Sequence, residues 1–217
     1  MHFFTSTGMV RAVDGVSLNV SVGETVGLVG ESGSGKTMTA LSVMRLIPIP
    51  GRIIDGRILF KGEDLVKASE EKMCSLRGKD LSMIFQDPMT FLNPVMRVGD
   101  QVAEAIETHV GIDRLQAREK AVEMLRLVRL PSPERTAKQY PHELSGGMRQ
   151  RILISIALAC NPSLLIADEP TTALDVTVQA QILKLIKDLT QRYEIAVLLV
   201  THDLGIVSEN CDRVCVM

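Results

Sequence analysis

Tryptophan is absent and aromatic residues make up only 3% of the chain, so whatever core it builds has to be aliphatic, the kind a buried parallel sheet supplies. Cysteine is sparse too. Cys74, Cys160, Cys211 and Cys215 form no CxxC pair and have no histidine at zinc-ligand spacing, which leaves them as reduced structural thiols. No charge of one sign dominates: 24 basic residues face 26 acidic ones, giving no electrostatic case for nucleic acid or an anionic membrane surface. A long apolar run is also missing. The longest, Ile152 to Cys160, is nine residues, whereas a spanning helix needs about 20. The opening MHFFTSTGMVR has neither a basic n-region nor an apolar h-region, so the chain reads as cytosolic. What is present is a hydrophobic fraction of 46% over 217 residues, enough for one sizeable core and a small second subdomain.

Short apolar runs bounded by glycine or polar turns recur at Thr25 to Val29, Leu81 to Phe85, Leu164 to Ala167 and Ala196 to Val200. They are strand candidates, and helix-length segments at Lys36 to Leu46, Val176 to Tyr193 and Leu204 to Asn210 separate them. Such alternation predicts βαβ crossovers on a parallel sheet, with ligands at the strands' carboxyl ends. Ala12 to Val22 and Gly56 to Phe60 alternate apolar and polar, which predicts an antiparallel layer beside that sheet. Residues 94–158 carry no strand pattern but helical ones at Val98 to Thr108 and Leu115 to Leu127. Pro131, Pro133 and Pro141 then break the pattern before a helix near Gly146. The expectation is a core of residues 1–93 and 159–217 with a helical insertion at 94–158. Both ends read as cut, the first strand starting mid-element at Phe3 and the last, Arg213 to Met217, having nothing after it.

Gly30 to Thr37 reads GESGSGKT and fits GxxxxGK[ST] between a strand and a helix. Gly30, Glu31, Ser32, Gly33, Ser34 and Gly35 would turn backbone N–H groups around phosphates, Lys36 would reach the outer phosphates and Thr37 would offer a hydroxyl to magnesium. A glycine turn without ligand is the bland alternative, and the flanking strand and helix count against it. Such a loop needs an acidic residue on a neighbouring strand. LLIADE, Leu164 to Glu169, offers Asp168 for the metal and Glu169 as general base toward an attacking water.

Leu144 to Gln150 reads LSGGMRQ, and its place between the phosphate loop and the acidic strand resembles the signature of ABC-transporter ATPase subunits. The resemblance spans essentially the whole chain, through FQDP (Phe85 to Pro88), TTALD (Thr171 to Asp175) and THD (Thr201 to Asp203). It implies an α/β, RecA-like P-loop NTPase core with an antiparallel β layer and a helical signature subdomain, and ATP and Mg2+ as ligands. It also implies a head-to-tail dimer in which Ser145, Gly146 and Gly147 of one protomer close on the γ-phosphate held by the other. Asp175 would lie at that contact, His202 would bond the γ-phosphate and fix water with Glu169, and Gln86 would bind magnesium or orient water. An aromatic ahead of the loop would stack on adenine; Phe4 is the candidate, with Phe3 adjacent.

The runs FQDPMTFLNPVMRVGDQVAE, YPHELSGGMRQR and DEPTTALDVTVQAQIL resemble dipeptide, oligopeptide and nickel importers. That branch implies a subunit peripheral on the cytoplasmic face of the membrane. Its partners would be a second ATPase subunit, membrane-spanning permeases and, indirectly, a solute-binding protein, with no nucleic acid. A soluble ATPase of DNA maintenance would insert heptads between Thr37 and Leu144, and none is sustained there. A non-hydrolysing ATP clamp would not need both Glu169 and His202. The cargo, and whether the paired subunits are identical, are not written in the sequence.

Overall fold

The structure, a computed structural model, describes residues 1–6, 8–172 and 174–217, and for Met89 the backbone alone; Thr7 of the Thr5 to Arg11 loop and Ala173 of the TTALD run lie outside the described residues. The chain runs β1 (His2–Thr5), β2 (Gly8–Arg11), β3 (Thr25–Val29), α1 (Lys36–Met44), β4 (Gly51–Arg52), β5 (Leu59–Phe60), β6 (Glu63–Asp64), α2 (Glu70–Leu76) and β7 (Leu81–Ile84). It continues through α3 (Pro88–Phe91), α4 (Val98–Val110), α5 (Arg114–Leu127), α6 (Pro133–Thr136), a 3-10 turn (Pro141–Glu143) and α7 (Gly146–Leu158). Last come β8 (Leu164–Asp168), α8 (Val176–Arg192), β9 (Ala196–Thr201), α9 (Leu204–Asn210) and β10 (Arg213–Val216).

Among the described residues, five strands form one parallel sheet in the order β10-β3-β9-β8-β7. The apolar runs make this possible because both faces are covered. Val197 and Leu199 of β9, with Leu165 and Ala167 of β8, face a cluster built with α4, α5, α7 and α8. Their alternates Leu198, Val200 and Ile166 face a second cluster with Ala40 and Met44 of α1 and Met73 of α2. Val102 and Ile106 of α4 and Ala121 and Leu125 of α5 belong to the first cluster, so the helical segment packs continuously onto one sheet face.

The antiparallel layer exists, but not where the alternation places it. Ala12 to Val22 forms no strand. The layer is β2-β1-β4, joined by pairs such as Phe3↔Val10 and Phe3↔Gly51, and a separate β5-β6 hairpin uses only the end of Gly56 to Phe60. Leu18 and Val20 satisfy their alternation by packing onto the second cluster without joining a ladder. Pro133, a breaker by pattern, opens the short α6, where its missing N–H costs nothing.

The sheet edge is tied to its neighbour by polar contacts. Asp212 Oδ2 accepts from Thr25 N at 2.8 Å, and Arg213 donates through Nε to Glu24 Oε1 at 2.9 Å and through Nη2 to the carbonyl of Asn19. The bond from Arg213, helped by the Ser21 amide, holds the Glu24 carboxyl below its ordinary range. A depressed folded-state pKa contributes stability that is present above the unfolded pKa and disappears as pH falls through the folded one. Glu24→Gln is therefore expected to lower the urea midpoint slightly at pH 7. The difference from the parent should close as pH falls below the usual carboxylate range; a pH-independent gap would contradict the assignment.

Candidate nucleotide and metal site

The loop after β3 has the shape of an anion cradle for steric reasons. A Cβ on Gly30 would sit 2.4 Å from the Met217 carbonyl oxygen, and one on Gly35, at φ +100°, 2.3 Å from that of Ala12. Both positions therefore require glycine. Gly35 is also the N-cap of α1 and offers no side chain to its first amides, which keeps those donors for another acceptor. Ser34 Oγ is buried without a hydrogen-bond partner among the described residues, an orphan donor inside the loop. Lys36 is 5% exposed and donates to the carbonyls of Gly30 at 2.9 Å and Glu31 at 2.8 Å, while Glu31, Ser32 and Gly33 form the exposed rim. Gly35→Ala is expected to cost about 1–3 kcal/mol through left-handed strain alone, and the clash with Ala12 adds to it. Urea denaturation measures the loss; a change within error would show that the loop does not need this geometry.

Asp168 ends β8 beside the loop, 4% exposed, and Oδ1 accepts from Thr37 Oγ1 at 3.2 Å. Burial pushes its pKa up, as does the Glu169 charge, against the pull of the Thr37 bond and Lys36. One hydroxyl and one carboxylate make a donor set that suits Mg2+, which takes few protein ligands and fills its remaining positions with phosphate oxygens and waters. Among the described residues no cluster of three His, Cys, Asp or Glu groups could hold a metal by itself.

Glu169 is the hub. It adopts φ +45°, and its N–H bonds the Val200 carbonyl at 2.9 Å, which turns the side chain off the end of β8 toward its neighbours. Oε1 lies 3.0 Å from His202 Nδ1, and Oε2 accepts from Gln86 Nε2 at 3.1 Å and Thr172 Oγ1 at 2.9 Å. Burial pushes the carboxyl pKa up, but the bonds from His202 and Thr172 outweigh it and hold the group below its ordinary range. His202 comes from the end of β9 and its side chain is 64% exposed. Lys36, Thr37, Asp168, Glu169, His202 and Gln86 thus meet at the carboxyl ends of adjacent strands, as the parallel topology requires. Thr172, which the sequence reading leaves without a role, proves to be a partner of Glu169; its only sequence signal is its place three residues beyond it.

A second set stands apart. Ser145 caps α7, its Oγ accepting from Met148 N at 3.4 Å, and Ser145 and Gly146 are exposed or nearly so. Cβ atoms on Gly146 and Gly147 would lie 3.4 Å from Leu174 and 2.8 Å from Val178, so this helix start rests against the entry to α8. Asp175 caps α8 there, Oδ1 accepting from Val178 N at 3.0 Å. No hydrogen bond among those described joins this set to the cradle. On β1, Phe3 packs toward Gly51 while Phe4 is 47% exposed.

The sequence model of the family described as ABC transporter matches residues 13–172. A probable peptide ABC transporter ATP-binding protein of Sinorhizobium fredii is 56% identical over all of this chain and 65% of its own length. The oligopeptide transport ATP-binding protein AppD of Bacillus subtilis is 54% identical over all of this chain and 66% of its own. The dipeptide transport ATP-binding protein DppD of Escherichia coli is 49% identical with the same 66% covered, so the chain spans about two thirds of these relatives. Among solved structures, the ATP-binding cassette MJ0796, in a dimeric post-hydrolysis state bound to ADP and Pi, superposes with a TM-score of 0.87 at 27% identity, over 100% of this chain and 90% of that one. With the phosphate loop, the acidic strand end and the LSGG helix start all inside the matched span, and relatives about half identical along its whole length, the chain belongs to the ABC transporter family.

Proposed function

We propose that this chain binds ATP with Mg2+ and hydrolyses it as one half of a head-to-tail dimer, driving an importer of peptides. The observation that carries the reading is the convergence of Lys36, Thr37, Asp168, Glu169, Gln86 and His202 on one strand-end ledge. The loop amides, Ser34 and Lys36 bind the phosphates, and Phe4, the exposed ring of β1, stacks on adenine. Thr37 and Asp168 would hold Mg2+, and Gln86 would join them or orient the water; the metal would supply charge neutralisation at the phosphates. Glu169 orients the attacking water and acts as its general base, and His202 steadies both Glu169 and the γ-phosphate.

The LSGG start and Asp175 support the dimer, because an exposed helix N-terminus with no described hydrogen bond to its own cradle is open to a phosphate held by a second copy. ATP contacts made across the interface exist only in the closed dimer, so binding favours closure and hydrolysis releases it. Residues 94–158 act as the signature-bearing subdomain on the core of 1–93 and 159–217. They pass closure to a helix of a membrane-spanning permease, which places the subunit on the cytoplasmic face. The relatives named for peptide and oligopeptide transport support peptides as cargo. No described helix is long and apolar enough to cross a membrane.

The test is phosphate release from ATP as a function of protein concentration. Turnover that requires Mg2+, with specific activity rising as the protein is concentrated, is expected of a shared site. Turnover independent of concentration would remove the sandwich, and no turnover at any concentration would remove the motor.

A further inference from the structure

The segment joining β7 to α4 is held at both ends by different parts of the protein. At one end Gln86 donates its side-chain amide to Glu169 Oε2 at 3.1 Å. At the other, the buried Gln101 of α4 clamps the chain: Oε1 accepts from Asn93 N at 3.0 Å, and Nε2 donates to the carbonyls of Asn93 at 3.0 Å and Met96 at 2.9 Å. These bonds tie the end of the loop to α4. Between these anchors Phe91 lies face to face with Phe85, ring centroids 3.9 Å apart and planes 9° from parallel. Phe85 is the residue before Gln86 and packs on the second core cluster. Phe91 is 47% exposed and walls an open groove of about 360 Å³ together with Met96, Glu104, His109 and Ile156. A ring this exposed contributes little to the core, yet its stack on Phe85 is the only ring pair along the loop among the described residues.

We propose that Phe91 is a positioning residue for hydrolysis: its stack on Phe85 fixes the backbone of Gln86, and so decides whether that amide reaches Glu169. The inference rests on the catalytic role proposed for Glu169. An aliphatic side chain cannot reproduce the face-to-face geometry of this pair.

The experiment uses the whole chain with Phe91→Leu, Phe91→Tyr, Gln86→Ala and the double variant that combines Phe91→Leu with Gln86→Ala. A misplacement this close to the reacting groups is expected to lower kcat by about fivefold in Phe91→Leu, with the KM for ATP unchanged and Phe91→Tyr restoring the rate. In the Gln86→Ala background the same change should have no further effect. A loss of equal size in that background, or a fall in thermal midpoint with kcat intact, overturns the proposal. If Phe91→Leu compromises folding, Phe91→Met keeps an unbranched, adaptable side chain in its place and is read by the same outcomes. A readout independent of turnover is the side-chain amide resonance of Gln86, identified by its disappearance in Gln86→Ala. It should move in Phe91→Leu and stay in Phe91→Tyr, and an unmoved resonance also overturns the proposal. Should the parent hydrolyse no ATP, the motor reading fails while this resonance still decides the role of Phe91.

Discussion

Glu169→Gln is expected to lower ATP turnover by about two to four orders of magnitude, the range over which a positioned acid–base group acts, while leaving ATP binding in place. The cradle that binds phosphate, formed by Lys36, Ser34 and the first amides of α1, does not include Glu169. What changes is the hub. A carboxylate accepts on both oxygens, here from Gln86 and Thr172 on one and beside His202 on the other. An amide has one acceptor oxygen in place of two, so whichever way it turns one side of the hub can no longer accept, and the anion that polarises water is gone. The bonds that hold Glu169 below its ordinary range keep it a carboxylate at neutral pH, the form that its proposed role toward the attacking water requires. The same depression sets the pH dependence: the active carboxylate persists as pH falls, and the acid limb of the rate profile lies below the usual carboxylate range. With hydrolysis stopped, the closed dimer should accumulate, and light scattering should show doubled mass only with MgATP. A variant that binds ATP and remains monomeric would remove the homodimer; one that turns over at the parent rate would remove Glu169 from the chemistry.

Sequence reading reaches furthest where function and fold use local signals. The strands β3, β8 and β9 are buried on both faces, so their apolar runs can be read without knowing the partners, and the GESGSGKT turn spells its own geometry through Gly30 and Gly35. Element ends are less legible, because they depend on backbone caps. The helix expected to run to Leu46 stops at Met44, where Arg45 turns to φ +51° and its N–H caps the carbonyls of Leu41 and Ser42. Alternation in Ala12 to Val22 predicts a strand because period two reports which side chains are buried, not whether a ladder exists; Leu18 and Val20 bury theirs without one. The Glu169–His202 pair joins residues 33 apart and depends on β8 lying beside β9, a neighbour relation that no local pattern encodes. Thr172 escapes notice for the same reason, since a threonine in a turn has no distinguishing mark until its partner is placed. Asp175 shows the opposite limit: the resemblance implies an interface role, and the structure adds a local one, as cap of α8.

Asp168→Asn separates stability from function at one atom. In the native chain a carboxylate that is 4% exposed is held between Thr37 and the end of the sheet, and burial raises its pKa. An acid with a raised folded-state pKa contributes stability below its unfolded pKa and loses it as pH rises through the folded one, so ionised Asp168 destabilises the metal-free protein at pH 7. Asparagine keeps the oxygen that accepts from Thr37 Oγ1 and removes the buried charge. The variant is therefore expected to unfold at a higher temperature than the parent without nucleotide, each kcal/mol relieved being worth about 2–4 °C in a chain of this size. The gain should vanish below the usual carboxylate range, where the parent's own carboxyl is protonated. The same charge is what the donor set offers Mg2+, and its loss should weaken metal binding by at least about 10–100-fold and abolish most Mg2+-dependent turnover. Calorimetry with and without MgATP across pH tests both halves. A metal-free midpoint that falls instead would show that the Thr37 bond outweighs desolvation, and unchanged turnover would take Asp168 out of the metal site. Together the two expected outcomes would mark a carboxylate kept buried at a cost to the fold for the metal that it would hold.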